Sequence, residues 1–198
     1  MEDSTQRPAS DHLSRPWRVH ALASDFELLD VWRFALRGDE RDFPSFLGFM
    51  SDTKALADSC SAPARALFAL RLRLGRAFGW DRERAALPIP GCSETSLRDR
   101  LPDAHERVAT RGGAEFALVY EEQREALLEL SNSTCHALMH LGWVSIDAGG
   151  YAGQMAVYVK HRGRAGRAYM GLIEPFRRWV VYPALTAAVA RQWQTARP

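Results

Sequence analysis

Over the C-terminal half the chain alternates apolar and polar residues with a period of two. "EALLELSN" sets Ala126, Leu128 and Leu130 against Glu125 and Glu129. "TCHALMHLGWVSI" sets Cys135, Ala137, Met139, Leu141 and Trp143 against His136 and His140, and "GQMAVYVKH" sets Met155, Val157 and Val159 against Gln154, Tyr158 and Lys160. Strict alternation marks a strand with one buried face, because successive side chains point to opposite sides. With "EFALVYE" ahead of them and the Gly-Gly turn of "DAGGY" between the last two, these segments predict about four strands in an antiparallel meander. The histidines fall on the less buried face.

Elsewhere the period is helical. "LLDVWRF" (Leu28 to Phe34) is an early strand by composition. "RDFPSFLGFMSDTKALAD" places Phe43, Phe46, Leu47 and Met50 at helical spacing, with Pro44 near a first turn. A helix from Ser61 to Gly79 carries Leu67, Leu70, Leu74 and Phe78 as one stripe, with most of its arginines elsewhere. "SETSLRDRL" predicts a short helix. The last segment, "RGRAGRAYMGLIEPFRRWVVYPALTAAVARQWQ", puts Tyr169, Leu172, Ile173, Phe176, Val180, Ala184 and Ala187 on one stripe, interrupted by Pro175 and Pro183. A proline inside a helix removes one backbone bond and bends the axis. The segment therefore predicts one long, kinked helix, with Gly171 easing the first bend, Phe176 facing inward, and Arg177 and Arg178 at the solvent side or mouth. A strand through Ile173 followed by a helix beginning at Pro175 is the alternative.

This order predicts an α+β domain in which a curved antiparallel sheet wraps round a long C-terminal helix, the helix-grip arrangement. Residues 1–16, polar with two prolines, read as a disordered leader, and 17–198 as a single domain.

Composition narrows the function classes. At 198 residues, 46% hydrophobic and 25% charged, the chain is ordinary soluble globular protein. A net charge of +2 makes no case for nucleic acid. The longest apolar run, Trp179 to Ala190, falls short of the roughly 20 residues that a bilayer span needs. The N-terminus has no apolar signal core, so a cytoplasmic location is expected. Cys60, Cys92 and Cys135 form no CxxC pair and predict neither disulfides nor zinc. His136 and His140 would share a metal on a helix, but on a strand they stand about 13 Å apart. No metal or cofactor is expected. Cys135 and His136, as neighbours on a strand, point apart and make no nucleophile–base pair. The "NST" at Asn132 is a chance sequon, "GRAGR" (Gly163 to Arg167) is a charged turn, and the GxSxG, P-loop and GxGxxG patterns are missing.

Three blocks carry a family resemblance: "APARALFALRLRLGRAFGWD" (62–81), "ELSNSTCHALM" (129–139) and "MAVYVKHRGRAGRAYMGLIEPFRRWVVYPAL" (155–185). A strand followed by Gly166-Arg167-Ala168-Tyr169 and then Pro175-Phe176-Arg177-Arg178 resembles the bacterial domain-of-unknown-function family 2867, with Arg177 standing where the family usually has His. The resemblance runs over roughly residues 25–190. It implies the START-like, birch-allergen-like (SRPBCC) superfamily, many of whose members enclose an apolar cavity, and it implies no reaction. On that analogy the protein is expected to bind a hydrophobic small molecule, with Leu128, Leu130, Met139, Leu141, Trp143, Met155, Val157, Tyr169, Ile173 and Phe176 as the wall. Two alternatives stand beside it. If the opposite strand face is inward, Tyr158 or His136 becomes the acid or base of a polyketide-cyclase-type cavity enzyme. If the core is filled, the chain is a non-enzymatic structural or interaction domain.

Overall fold

The period-two segments form strands β3 (Ala117–Glu121), β4 (Glu125–Ser131), β5 (Cys135–Ser145) and β6 (Tyr151–His161), each antiparallel to the next. The computed structural model describes residues 5–51, 95–102, 116–132 and 134–196, so the helix predicted over 61–79 and the side chains of Cys60 and Cys92 lie outside the described residues. The early strand, β2 (Glu27–Arg33), pairs with β6, and β1 (Thr5–Arg7) pairs with β2. The result is a six-stranded sheet in the order β1-β2-β6-β5-β4-β3. Register shifts at Leu28/Asp30 and Leu118/Tyr120 put bulges in β2 and β3, and bulges bend a sheet. The "DAGGY" turn works because Gly149 and Gly150 take φ of 80° and 87°, which side chains disfavour.

The polar start of the chain is not a disordered leader over residues 5–16. β1 joins the sheet edge, and α1 (Ala9–Leu13) follows it and buries His12. α2 (Val19–Leu22) comes next. Composition missed this because the order comes from backbone pairing and a buried polar contact, not from an apolar run. The predicted helix at Phe43 is α3 (Phe43–Ser51), and it buries Phe43, Phe46, Leu47 and Met50. "SETSLRDRL" yields one 3-10 turn, Leu97–Arg100.

The C-terminal segment is helical throughout, which removes the strand alternative for Ile173. α4 (Gly163–Phe176) runs into a π-helical turn (Arg177–Val181) and on into α5 (Tyr182–Thr195). "GRAGR" is thus the first turn of a helix. The irregularity falls between the two prolines. Pro183 cannot donate to the carbonyl four residues back, and the Tyr182 N–H reaches five residues back, to Arg177 O. Gly171 plays no steric part, because a β-carbon there would meet nothing within 4 Å.

Both faces of the sheet are covered. On the helix side Trp143 packs between Phe46 and Trp193, at ring separations of 5.5 and 5.7 Å. Both indole N–H groups donate to one loop: Trp143 to Asp39 O (2.7 Å) and Trp193 to Arg37 O (3.0 Å). On the other side Val19, Phe26, Leu97, Val119, Leu127, Leu138 and Ala156 form a second cluster under α2 and the 3-10 turn. The expectation of one less buried face is therefore corrected. It failed because the residues that cover that face come from the N-terminal segment and from the 3-10 turn, outside the strands themselves.

α4 starts hard against the β4–β5 turn. There Asn132 Oδ1 accepts from Thr134 N (2.9 Å), Thr134 Oγ1 (2.7 Å) and Cys135 N (3.1 Å), while Arg162 N donates to Thr134 O (3.0 Å). This burial of Asn132 closes the sequon to any glycan. A β-carbon on Gly166 would run into the Thr134 carbonyl oxygen. Gly166→Ala should therefore cost about 1–3 kcal/mol from overpacking. Gly171→Ala, in open space on the same helix, should add about 0.5–1 kcal/mol. Urea unfolding of the two variants measures the contrast.

Candidate functional site

The residues expected to wall a ligand site divide into two groups. Leu128, Met139, Leu141, Trp143 and Met155 are buried together on the helix side of β4, β5 and β6. Leu130, Val157 and Ile173 are only partly buried, and Phe176 is 50% exposed. Tyr169 lies in α4, but its side chain is outside the described residues. A smaller cluster of Cys135, Val159 and Met170 joins the two groups, with Leu29, Ala137, Val157 and Ile173 packed on it. The strand register read from the sequence thus holds: the apolar set faces the C-terminal helix. Phe176 differs from its expectation of facing inward. Its neighbours Leu172 and Trp179 are 71% and 74% exposed, so three large apolar side chains line the outer side of the helix.

Arg177 turns inward instead of to solvent. Its Nε and Nη2 both lie 3.0 Å from Asp30 Oδ2, and the two side chains are only 14% and 6% exposed. Asp30 sits on β2 beside Val157 of β6, so the helix-side face does contain a carboxylate. The sequence carried a usable signal: one acid among apolar residues, in phase with Trp32 and Phe34, needs a buried cation. Asp30→Asn should cost about 3–5 kcal/mol, since it strands the Arg177 charge, and Asp30→Leu with Arg177→Met should recover most of that. Chemical denaturation of the single and double variants reads this directly.

His136, His140 and Tyr158 lie on the other face, and all are buried. Tyr158 O–H donates to His12 Nε2 (2.8 Å), and His12 Nδ1–H donates to Gln154 Oε1 (2.8 Å). His20 Nδ1 stands 3.3 Å from the Tyr158 oxygen. The His12 ring is 5.0 Å from both His20 and His140. Glu125 is satisfied three times: by Arg18 N (3.1 Å), Tyr120 O–H (2.8 Å) and His140 Nε2–H (2.8 Å). Glu129 takes His136 Nε2–H (3.2 Å), Leu97 N (3.0 Å) and Ser96 O–H. His12, Trp17 and His20 are the members that sequence reasoning missed. Val19, Leu22, Ala23 and Phe26 at helical spacing were the signal that this stretch packs on something.

The electrostatics follow from burial. Burial pushes His12 down to about 3, with the nearby His140 adding to it, and Gln154 only partly opposes this. His140 also lies below its ordinary value: burial outweighs the help of Glu125. A second ring proton on His140 Nδ1 would have no acceptor among the described residues. Burial alone would raise Glu125 and Glu129, yet the hydrogen bonds led by His140 and His136 bring both below the usual carboxylate range. Burial raises the phenols of Tyr120 and Tyr158. At neutral pH burial keeps His12 and His140 neutral and the phenols of Tyr120 and Tyr158 protonated beside the two carboxylates. Among the described residues no group of three or more His, Cys, Asp or Glu is placed to hold a metal, and no helix is long and apolar enough to cross a membrane.

A histidine whose folded pKa lies below its unfolded one costs stability as pH falls, because only the unfolded chain takes up the proton. Above about pH 6.5 His12 and His140 should leave stability unchanged. From there downward His12 alone should remove about 1.4 kcal/mol per pH unit, or about 2 kcal/mol by pH 5, and His140 acts in the same direction. Urea midpoints between pH 8 and 5 measure the slope, which His12→Gln should make shallower.

Comparison with curated proteins and with solved structures finds no match to this chain. A family profile described as a protein of unknown function (DUF2867) matches residues 22–184, which span β2 through the first turn of α5 and so include both sheet faces and the Asp30–Arg177 pair. The chain belongs to the DUF2867 family.

Proposed function

We propose that this protein binds a hydrophobic small molecule between the sheet and the C-terminal helix, as a helix-grip domain of the START and birch-allergen kind. One observation carries the reading. The helix buries side chains fully at both ends and only partly at its middle, where Val180 and Val181 pack on the core without being fully covered. α5 buries Tyr182, Thr186, Ala188, Val189 and Trp193, and α4 buries Gly166 and Met170, whereas Arg177, Val180 and Val181 of the π turn between them are only partly buried. Val157 of the sheet and Ile173 and Val180 of the helix meet the core here, and with Leu130 of β4 they are apolar and only partly buried. Helical irregularities of this kind recur at functional sites. Apolar surface that a fold leaves half-covered favours an apolar occupant. The buried set of Leu128, Met139, Leu141, Trp143 and Met155 supplies the rigid floor.

The cavity-enzyme alternative gains no support from Tyr158 or His136. Both lie on the sheet face away from the helix, bonded into networks that the N-terminal segment covers.

A neutral probe tests the binding reading. N-phenyl-1-naphthylamine should gain fluorescence with the wild-type protein in the micromolar range. Val157→Asp, which places a charge in the gap, should reduce the affinity at least tenfold. Native mass spectrometry of protein purified from its own host should show an added mass that organic solvent removes. A folded protein with neither probe binding nor added mass contradicts the reading.

A further inference from the structure

A concavity adjoins the π turn of the helix. It is a cleft of about 400 Å³ between β1, β2 and the π turn, and Gln6, Arg7, Leu29, Asp30 and Arg178 are among its lining residues. Its charges are not balanced equally. Asp30 is neutralised by Arg177, and Arg7 is held by Asp11 at 2.9 Å. Arg178 forms no ion pair or hydrogen bond with the described residues. Arg177, next to it, keeps a buried Nη1 with no acceptor. Adjacent residues of one π turn thus hold unspent N–H donors, and the acid of the cleft is already engaged. Leu29 connects this cleft to the apolar gap: it lines the cleft and packs on the same small cluster as Val157 and Ile173.

We infer that the bound molecule is an anionic amphiphile, whose oxyanion sits in this cleft against Arg178 and whose chain passes Leu29 onto Val157 and Ile173. The inference rests on the apolar-ligand reading above and adds the chemical class of the ligand. A guanidinium gives a carboxylate or a phosphate charge-assisted hydrogen bonds, which a neutral alcohol cannot match. The two oxyanions share this chemistry, and the test separates them.

Displacement of N-phenyl-1-naphthylamine at pH 8 by laurate, dodecyl phosphate and dodecanol compares three heads on one chain length. At least one anion should compete about tenfold more strongly than dodecanol. The stronger anion identifies the head as carboxylate or phosphate. Arg178→Ala should bring both anions to the level of dodecanol and leave dodecanol itself unchanged, and Arg178→Lys should restore part of the preference. Equal competition by all three, or an anion preference that survives Arg178→Ala, overturns the inference while leaving apolar binding intact. Failure of the probe itself to bind overturns both.

Discussion

A sheet covered on both faces makes a buried polar side chain on its strands costly unless it finds a partner inside the protein. An unpaired polar group there costs about 1–3 kcal/mol, and an unpaired charge more. Both halves of the fold show the consequence. On the face under the N-terminal segment and the 3-10 turn, Glu125 and Glu129 each gather three donors, and Gln154 and Tyr158 meet His12. Under the C-terminal helix, Asp30 meets Arg177. The second pairing also sets the helix. It holds Arg177 inward at the start of the π turn, and the following residue, Arg178, then lies at the cleft.

The parts of this architecture that were legible in the sequence are those written in local periodicity. Alternation gave β3 to β6 and the face that each side chain takes, because the strands pair with their sequence neighbours. The long C-terminal helix was legible for the same reason. The residues that meet across long separations were not. His12 lies 142 residues from Gln154, and Asp30 lies 147 from Arg177. Polar residues opposite an apolar face read as solvent-facing, and only the position of the N-terminal segment shows that they are buried. The position of β2 beside β6 was likewise invisible to any local pattern. The family resemblance read from the Gly166 and Pro175 blocks is borne out by the match over residues 22–184. Gly166 has a physical reason in its contact with Thr134.

The two faces divide the chemistry. The N-terminal side holds most of the titratable groups of the core, and His12, His140, Glu125, Glu129, Tyr120 and Tyr158 each have a hydrogen-bond partner inside the protein. That is the condition of a network that fixes structure. The helix side is mostly apolar, its buried charges are the Asp30–Arg177 pair, and its apolar side chains at the π turn are only partly buried. The proposed ligand site therefore draws on the surface under the π turn, with the floor of Trp143 and Met155 rigid beneath it and the free Arg178 guanidinium at its margin.

Methyl-resolved NMR during a titration with laurate tests the central claim most directly. The account predicts that the methyl signals of Leu130, Val157, Ile173 and Val180 shift, while those of Val119, Leu127 and Leu138 on the opposite face stay in place. Shifts confined to the opposite face, or no shift at saturating laurate and dodecyl phosphate, would contradict it.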